Sequence, residues 1–597
     1  MEKRWLSAVG AGTSLGDHPS HSTRRRPLVR LSRGLLSSVG GFCLLSSVLG
    51  LLPSPAFAQY DYSLDYQTNT INVVSNWAGN GTYVVGSNTY LNALVINSGG
   101  ALSNGTGYIG YETAGSNNVA LISGTGSVWN NQFTLTIGHS GAVSRLIITN
   151  AGVVVNVTGV MGLYSNSHDN VVLVSDSGSA WSNFSTLFVG SRGAGNQLTV
   201  TNGGTLVSWG GILGYFDSGS NNAVAVAGNG AKWEDMRNLI VGYESDTNTL
   251  TIGTGGSVIA SNAYVGYLAG ADGNRINMTG GSLYVTNALG RSVLDIRRGT
   301  LTASASSLIT ADNLLIGSAG FVTTTVTRIT IAGATTNSGT LTMLNSYASF
   351  GGPVVNHGAW ITDPTTNIFN GDLLVTSSGY ISAGAGDVYE FKSNFVNQST
   401  QNTSYDTLNT TPGNSGAPGT KFIFDGEGAG GTTLTQQFFV AGLLLTGGFV
   451  GTPDPLTTGI QTVTTFSAVS GFVNNFALDR LEIGNAGTNS ILRLTDSFFG
   501  DGQTAALFVN DLWLLGDSHL ILSNNVRLYF VNSNNWSLAD VTLLGDAEIH
   551  QLKPLITQPP LVVPEPSILL LWLAGAGTLY AARRRSSGVS VDSTSLG

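Results

Sequence analysis

The chain has 597 residues, with 80 Gly, 15 Pro and one Cys, and only 10% of its residues are charged. Gly is about twice as frequent as in ordinary soluble domains, without a G-X-Y period or Pro enrichment, which excludes a collagen helix and a Pro-rich disordered chain. The net charge of −9 disfavours nucleic acid as a partner, because phosphates need Lys and Arg. The composition therefore predicts a turn-rich β protein, and the length predicts an elongated or repetitive architecture.

The N-terminal segment, residues 1–58, has the order of a secretory signal peptide. An Arg-rich stretch precedes an apolar stretch over 35–52, and Ala56 and Ala58 then form an A-x-A cleavage site. We expect export through a Sec-type pathway and cleavage after this site. Cys43 lies in the apolar stretch, so the mature chain is expected to have no disulfide, thiolate metal site or cysteine nucleophile.

Residues 59–302 contain a repeat of 52 residues. Several residue types recur at this interval without an insertion, which is typical of a repeat architecture. The recurring residues include Trp77, Trp129, Trp181 and Trp233; Asn118, Asn170, Asn222 and Asn274; and two Gly columns, Gly86, Gly138, Gly190 and Gly242, and Gly110, Gly162, Gly214 and Gly266. The Gly steps divide each unit into 24 and 28 residues, and either length suits one coil of a parallel β-helix. Each unit is thus predicted to form two coils that stack at strand spacing.

Within a unit, a Gly-Ser-Asn-Asn motif precedes an alternating strand, Gly-x-Gly-Ser-x-Trp follows it, and an apolar-Gly step such as Ile240-Val241-Gly242 comes next. These motifs resemble the repeat shared by type V secreted passengers and PEP-CTERM proteins. The resemblance covers roughly residues 77–302. It implies an all-β, right-handed parallel β-helix, or solenoid.

Beyond the repeats, residues 303–550 keep short alternating stretches but lose the strict period. We interpret this part as a degenerate β-solenoid. Residues 397–420 are rich in Asn, Thr, Gly, Ser and Pro and are predicted to be a surface loop.

The C-terminal end combines three features in a fixed order. A Pro-rich linker over 551–566 ends in Pro564, Glu565 and Pro566. An apolar helix follows over 567–585 and ends in a cluster of Arg583, Arg584 and Arg585. A tail then occupies 586–597. The apolar stretch predicts a single transmembrane helix whose Arg end faces the cytoplasm. The ordered features resemble the PEP-CTERM sorting signal of Gram-negative bacteria. This resemblance implies recognition by a membrane exosortase that removes the tail, and an association with exopolysaccharide and biofilm.

The Trp column has two interpretations. Exposed rings would stack on sugars, whereas buried rings would form a ladder in the core or at a corner, and the second is favoured because the ring follows a turn. The Asn column likewise suits either calcium ligands or, preferably, an internal hydrogen-bonded ladder.

An enzymatic site would need a charged cluster that breaks the repeat, as in β-helical polysaccharide lyases and hydrolases. Two clusters qualify by sequence: Lys232, Glu234, Asp235 and Arg237, and Arg291, Asp295, Arg297 and Arg298. A solvated charged edge is the favoured interpretation of both. The histidines of the body, His139, His168, His357, His519 and His550, are interpreted as surface residues.

The sequence thus predicts an exported, non-enzymatic structural or adhesive protein of the bacterial cell surface or exopolysaccharide matrix, without catalytic residue, cofactor or metal. Its expected partners are an exosortase-type sorting enzyme, the inner membrane before processing, and extracellular polysaccharide. The alternatives are an exopolysaccharide-binding module that uses the Trp and Asn edges and, less favoured, a polysaccharide lyase or hydrolase that uses Asp235 or Asp295.

Overall fold

The computed structural model describes residues 62–76, 81–401, 419–426, 434–451, 459–473, 475–485, 487, 489–498, 500–534 and 536–555. Within these residues the chain is all-β, with 44 strands and three short 3-10 turns, Phe466–Ala468, Ser470–Phe472 and Leu538–Asp540. The strands pair in parallel and form a solenoid-like stack, which confirms the predicted fold class at this level. The signal peptide with Ala56 and Ala58, Trp77, most of the 397–420 loop and the whole C-terminal sorting segment lie outside the described residues.

The first half of the stack contains strands that are mostly four to five residues long, some of which merge into longer ones. They are β1 (Thr68–Ile71), β2 (Val74–Asn76), β3 (Thr82–Val85), β4 (Ala93–Ile96), β5 (Ala101–Asn104), β6 (Thr106–Ile109), β7 (Val119–Ser123), β8 (Val128–Asn131), β9 (Thr134–Ile137), β10 (Arg145–Thr149), β11 (Val153–Asn156), β12 (Thr158–Met161), β13 (Val171–Ser175), β14 (Ala180–Val189), β15 (Gln197–Thr201), β16 (Thr205–Leu213), β17 (Ala223–Ala227), β18 (Lys232–Val241), β19 (Thr249–Gly253), β20 (Ser257–Val265), β21 (Arg275–Thr279), β22 (Ser282–Val285) and β23 (Val293–Ser304).

The second half continues in the same manner with strands of three to thirteen residues. They are β24 (Leu308–Ala311), β25 (Asn313–Thr325), β26 (Arg328–Ile331), β27 (Thr335–Asn337), β28 (Thr340–Phe350), β29 (Val354–Asn356), β30 (Ala359–Phe369), β31 (Leu373–Val375), β32 (Tyr380–Ala383), β33 (Val388–Phe391), β34 (Phe395–Asn397), β35 (Lys421–Phe424), β36 (Thr435–Val440), β37 (Gly459–Val463), β38 (Leu478–Ile483), β39 (Ile491–Asp496), β40 (Ala505–Leu514), β41 (His519–Leu522), β42 (Val526–Ser533), β43 (Val541–Leu543) and β44 (Glu548–Pro554).

Each coil of the first half places three strand segments around a common core. On the first face, β4, β7, β10 and β13 pair in register, with Leu94 opposite Ala120, Ala120 opposite Leu146 and Leu146 opposite Val172. Alternation along each strand sends every second side chain into the core, and the burial pattern of β7, for example, alternates throughout. The apolar residues that alternate in the sequence therefore form continuous inward columns.

The tryptophans occupy alternate coils of the second face. There Trp129 lies opposite Val154, Val154 opposite Trp181 and Trp181 opposite Leu206. A large side chain in one coil is thus followed by a smaller one in the next, which fills the interior without overpacking.

The coils at the start of the second half are shorter, and its core contains stacked aromatic rings. Val322 pairs with Leu341 and Leu341 with Trp360, so each coil here advances by only 19 residues. Phe369 stacks on Phe391 with ring centroids 5.4 Å apart, and Phe391 on Phe424 at 4.7 Å. These buried rings replace the Trp column of the first half as the filling of the core.

The C-terminal end of the described stack is covered by a strand that comes from earlier in the chain. β37 pairs in parallel with β44, from Gly459 opposite His550 to Val463 opposite Pro554. A small separate apolar cluster that includes Val463, Phe472 and Phe508 packs beneath it. Because an unpaired edge strand is a template for aggregation, this pairing protects the end of the stack.

Candidate functional site

The three described members of the Trp column are core residues. Trp129, Trp181 and Trp233 are 0% exposed. The indole N–H of Trp129 donates to Asn104 Oδ1 and that of Trp181 to Asn156 Oδ1, both at 2.7 Å, whereas Trp233 donates to Ser208 Oγ at 3.0 Å. Neither face of these rings is open to a sugar, so the packing interpretation holds for them.

Glycines make room for these rings, and sequence reasoning missed them. Gly107, Gly159 and Gly211 lie on the third segment of the coils that lack Trp, and they too are spaced by 52 residues. A Cβ atom on any of them would lie 3.0 Å or less from Cζ2 of Trp129, Trp181 or Trp233. The alternation of Trp and Gly explains why two successive coils differ.

The Asn column is part of an internal ladder that has seven described members, against the four that the 52-residue spacing indicated. The backbone N–H and the side-chain Nδ2 of Asn196 both donate to Asn222 Oδ1 at 2.9 Å, and Asn222 makes the same two bonds to Asn248 at 3.0 and 3.1 Å. The buried members are Asn92, Asn118, Asn170, Asn196, Asn222, Asn248 and Asn274. Adjacent members lie 26 residues apart, except that Asn118 and Asn170 are separated by 52. The Oδ1 atoms of Asn222 and Asn248 accept hydrogen bonds from the neighbouring coil and are therefore not available to a cation.

The ladder has one interruption, at Ser144. Its hydroxyl is buried and has no hydrogen-bond partner among the described residues. Elsewhere in the ladder the Asn side chain accepts from the backbone N–H of the member one coil earlier, as Asn118 Oδ1 does from Asn92 at 2.9 Å, and the Ser144 side chain has no amide oxygen for the same bond to Asn118. Opposite the ladder, a Cβ on Gly138 or Gly190 would lie about 2–2.5 Å from the amide of Asn170 or Asn222, so Gly is required beside each Asn.

The first charged cluster does not converge on one site. Asp235 is 2% exposed, and its carboxylate accepts bonds from Ser208 Oγ at 2.8 Å and from the backbone N–H of Arg237 at 3.0 Å. Burial raises the pKa of Asp235 to about 6. Lys232 and Glu234 form an ion pair with each other at the surface. Asp235 occupies the inward position that Asn183 holds two coils earlier. In that earlier coil Asn156 Nδ2 donates to Asn183 Oδ1. Asp235 therefore belongs to the polar residues that line the bend after the second segment.

The second charged cluster is partly brought together. Arg297 Nε lies 2.7 Å from a carboxylate oxygen of the buried Asp295, and its guanidinium lies 4.5 Å from the ring centroid of Tyr267. Burial raises the pKa of Asp295, and the bond from Arg297 partly offsets this effect. Arg298 pairs separately with Asp272 at 3.6 Å, and Arg291 is not part of either pair. The arrangement is a cation that covers a carboxylate.

The histidines fall into different environments. His168, His357 and His519 make exposed contacts to Asp169, Thr376 and Thr542. His139 is half-buried and stacks on Tyr111 with centroids 4.4 Å apart. The prediction of a surface residue is wrong for His550, which is buried with its Nε2 2.8 Å from Glu548, because the β37 layer covers this end of the stack.

A tyrosine cover lies over the outward face of the third segment. It consists of the rings that follow the apolar-Gly steps: Tyr111, His139, Tyr164, Tyr215, Tyr243 and Tyr267. The rings of Tyr243 and Tyr267 stack 5.2 Å apart, and Tyr215 and Tyr267 also contact the outward-facing Phe188 and Tyr264. Because the rings cover one another, they present edges and hydroxyl groups to solvent.

An exposed apolar ridge is the surface feature that sequence reasoning missed. Five successive coils each place one apolar side chain outward at the bend between the second and third segments. The ridge consists of Phe133, Val157, Phe184, Trp209 and Met236, which are 40–69% exposed. Successive members are separated by 24, 27, 25 and 27 residues, so the column does not recur at a single interval and is obscured in the sequence.

Among the described residues, no group of three or more His, Cys, Asp or Glu side chains is arranged to hold a metal ion. The same residues include no helix of the length and apolarity needed to cross a membrane. At the level of sequence, no protein-family model matches the chain and no curated protein is similar to it.

Proposed function

We propose that the chain is an exported, non-enzymatic structural or adhesive protein of a bacterial cell surface or exopolysaccharide matrix. In this proposal the repeats form a right-handed parallel β-solenoid with a 52-residue unit of two coils. The segment 567–585 is a transmembrane helix until an exosortase-type enzyme recognises Pro564, Glu565 and Pro566 and removes it. The mature protein then remains at the surface or in the matrix.

The observation that carries the proposal is that the repeated residues are used inside the stack. Trp181 is closed on all sides, and both ends of the Asn196 amide bond to neighbouring coils or to its own turn. A repeated binding site would need its recurring residues in solvent, whereas recurring packing residues extend a scaffold one coil at a time. The repetition therefore favours a structural role.

The two carboxylates considered for catalysis support the same conclusion. Asp235 accepts two hydrogen bonds beneath the surface, and Asp295 lies under the guanidinium of Arg297. A catalytic acid or base must come within hydrogen-bond reach of a substrate. Neither carboxylate meets this requirement without displacing its present partners, which disfavours the lyase or hydrolase alternative.

The sorting part of the proposal is tested by intact mass and cell fractionation, with and without the exosortase of the producing bacterium. We expect a product that begins near Gln59, ends near Pro566 and reaches the matrix only when the enzyme is present. A Glu565→Ala variant should remain membrane-bound, and Lys553→Ala, just upstream of the motif, is the matched control. A product that keeps Arg583–Arg585 in the presence of the enzyme would refute the sorting proposal.

A further inference from the structure

We propose that the apolar ridge is a binding site for a neutral, unbranched polysaccharide chain. This inference rests on the proposed extracellular role. It assigns polysaccharide binding to side chains that are exposed, in place of the Trp and Asn columns, which are buried.

The ridge is a continuous line one residue wide. The backbone N–H of Val157 donates to Phe133 O at 2.8 Å, and that of Ser185, beside Phe184, donates to Val157 O at 2.7 Å. Trp209 and Met236 follow in the next two coils, where Ser208 pairs with Asp235. Five coils at strand spacing extend over about 19 Å. The ridge thus has the form of a track for an extended polymer, perpendicular to the strands.

The aromatic faces of the ridge are available to a ligand. Phe184 is 69% exposed and Trp209 50%, and within the described residues neither ring stacks on another. In the tyrosine cover, by contrast, the rings of Tyr243 and Tyr267 stack on each other, as do those of Tyr111 and His139. The face of an aromatic ring carries negative charge density, which attracts the slightly positive C–H groups on the apolar face of a pyranose ring.

The surroundings of the ridge favour a neutral ligand. The residues beside its first four members are uncharged and offer hydroxyl and amide groups: Asn130, Gln132, Thr134, Thr158, Ser182, Ser185 and Thr186. Charged side chains appear only at the last coil, as Glu234 and Arg237. An acidic polysaccharide would need Lys or Arg along the track, whereas hydroxyl and amide groups suit the hydroxyl groups of a neutral sugar.

The size of the ridge disfavours a protein partner. With about 200 Å² for a fully exposed large side chain, the five residues expose about 500 Å². A stable protein interface buries about 800 Å² on each partner and has a two-dimensional core. A second copy of the chain would therefore find too narrow a contact, while a thin polymer would contact the ridge along its length.

The test is affinity electrophoresis of the processed protein in native gels that contain hydroxyethyl cellulose, a neutral chain, or alginate, an acidic one. We expect retardation by the neutral polymer and at least tenfold weaker retardation of the double variant Phe184→Ala/Trp209→Ala. Phe321→Ala is the matched control, because Phe321 is 50% exposed on β25, away from the ridge. Unchanged far-UV circular dichroism would show that the variants remain folded.

Three results would overturn the proposal: no retardation of the wild type by the neutral polymer, equal retardation of the double variant, or retardation by alginate alone. Light scattering tests whether a second copy of the chain binds to the ridge instead. A dimer that dissociates in the double variant would identify that second copy as the partner and refute the proposal. The double variant should still be exported and processed. A failure of sorting would therefore refute the proposed function, but it would not change the retardation of the purified protein by the neutral polymer. The two proposals can thus fail separately.

Discussion

Replacing Trp181 by Ala is expected to destabilise the middle coils far more than replacing Trp209, although the two tryptophans lie on consecutive coils. Trp181 is fully buried between Val154 and Leu206, and its N–H is bonded to Asn156 Oδ1. Loss of a buried ring of this size costs about 3–5 kcal/mol, and the unpaired amide oxygen adds about 1–3 kcal/mol. Trp209 already has half its surface in water and should cost only about 1–2 kcal/mol.

Hydrogen exchange of the backbone amides in β11, β14 and β16 measures this difference locally. A gap of about 3 kcal/mol corresponds to exchange more than 100-fold faster in Trp181→Ala than in Trp209→Ala, because 1.4 kcal/mol is a factor of ten. Trp181→Phe keeps an aromatic ring but loses the N–H, so its exchange should fall between the two. Equal exchange in the two Ala variants would refute the assignment of Trp181 to the core and Trp209 to the ridge.

Two further substitutions test the polar lining. Asp235 has a folded-state pKa of about 6 against an ordinary value of 3.8, so its protonated form favours folding. Its contribution to stability therefore falls by about 3 kcal/mol in total as the pH rises from about 3 to about 7. Asp235→Asn should remove that pH dependence. It should also raise the free energy of unfolding at pH 7 by about 2 kcal/mol, because removal of the charge gains about 3 kcal/mol and the loss of one hydrogen bond costs about 1 kcal/mol. A variant whose urea midpoint follows the wild-type pH profile would contradict this. Ser144→Asn should complete the ladder by accepting from the N–H of Asn118, which should stabilise the folded protein by about 1–2 kcal/mol. Ser144→Ala is the control. A lower melting temperature for Ser144→Asn than for Ser144→Ala would show that the ladder cannot extend there.

The amino-acid order alone predicts an all-β stack, because strands, turns and a fixed period are local properties of the sequence. It also predicts that the Asn and Trp columns are structural rather than exposed, and the described members of both columns are buried. Periodicity specifies that residues recur at the same place in successive coils. It does not specify which side of the coil that place faces.

The tertiary structure decides that question, since the bends between strands determine which alternate set of side chains points inward. The inward set at the second segment includes Trp181, and the bend that follows turns Phe184 outward, three residues later. The bulge between Asn183 and Thr186 makes this change of direction and has no fixed signature in the residue order. The same bends align Phe133, Val157, Trp209 and Met236 with Phe184, so the apolar ridge exists only once the coils are stacked.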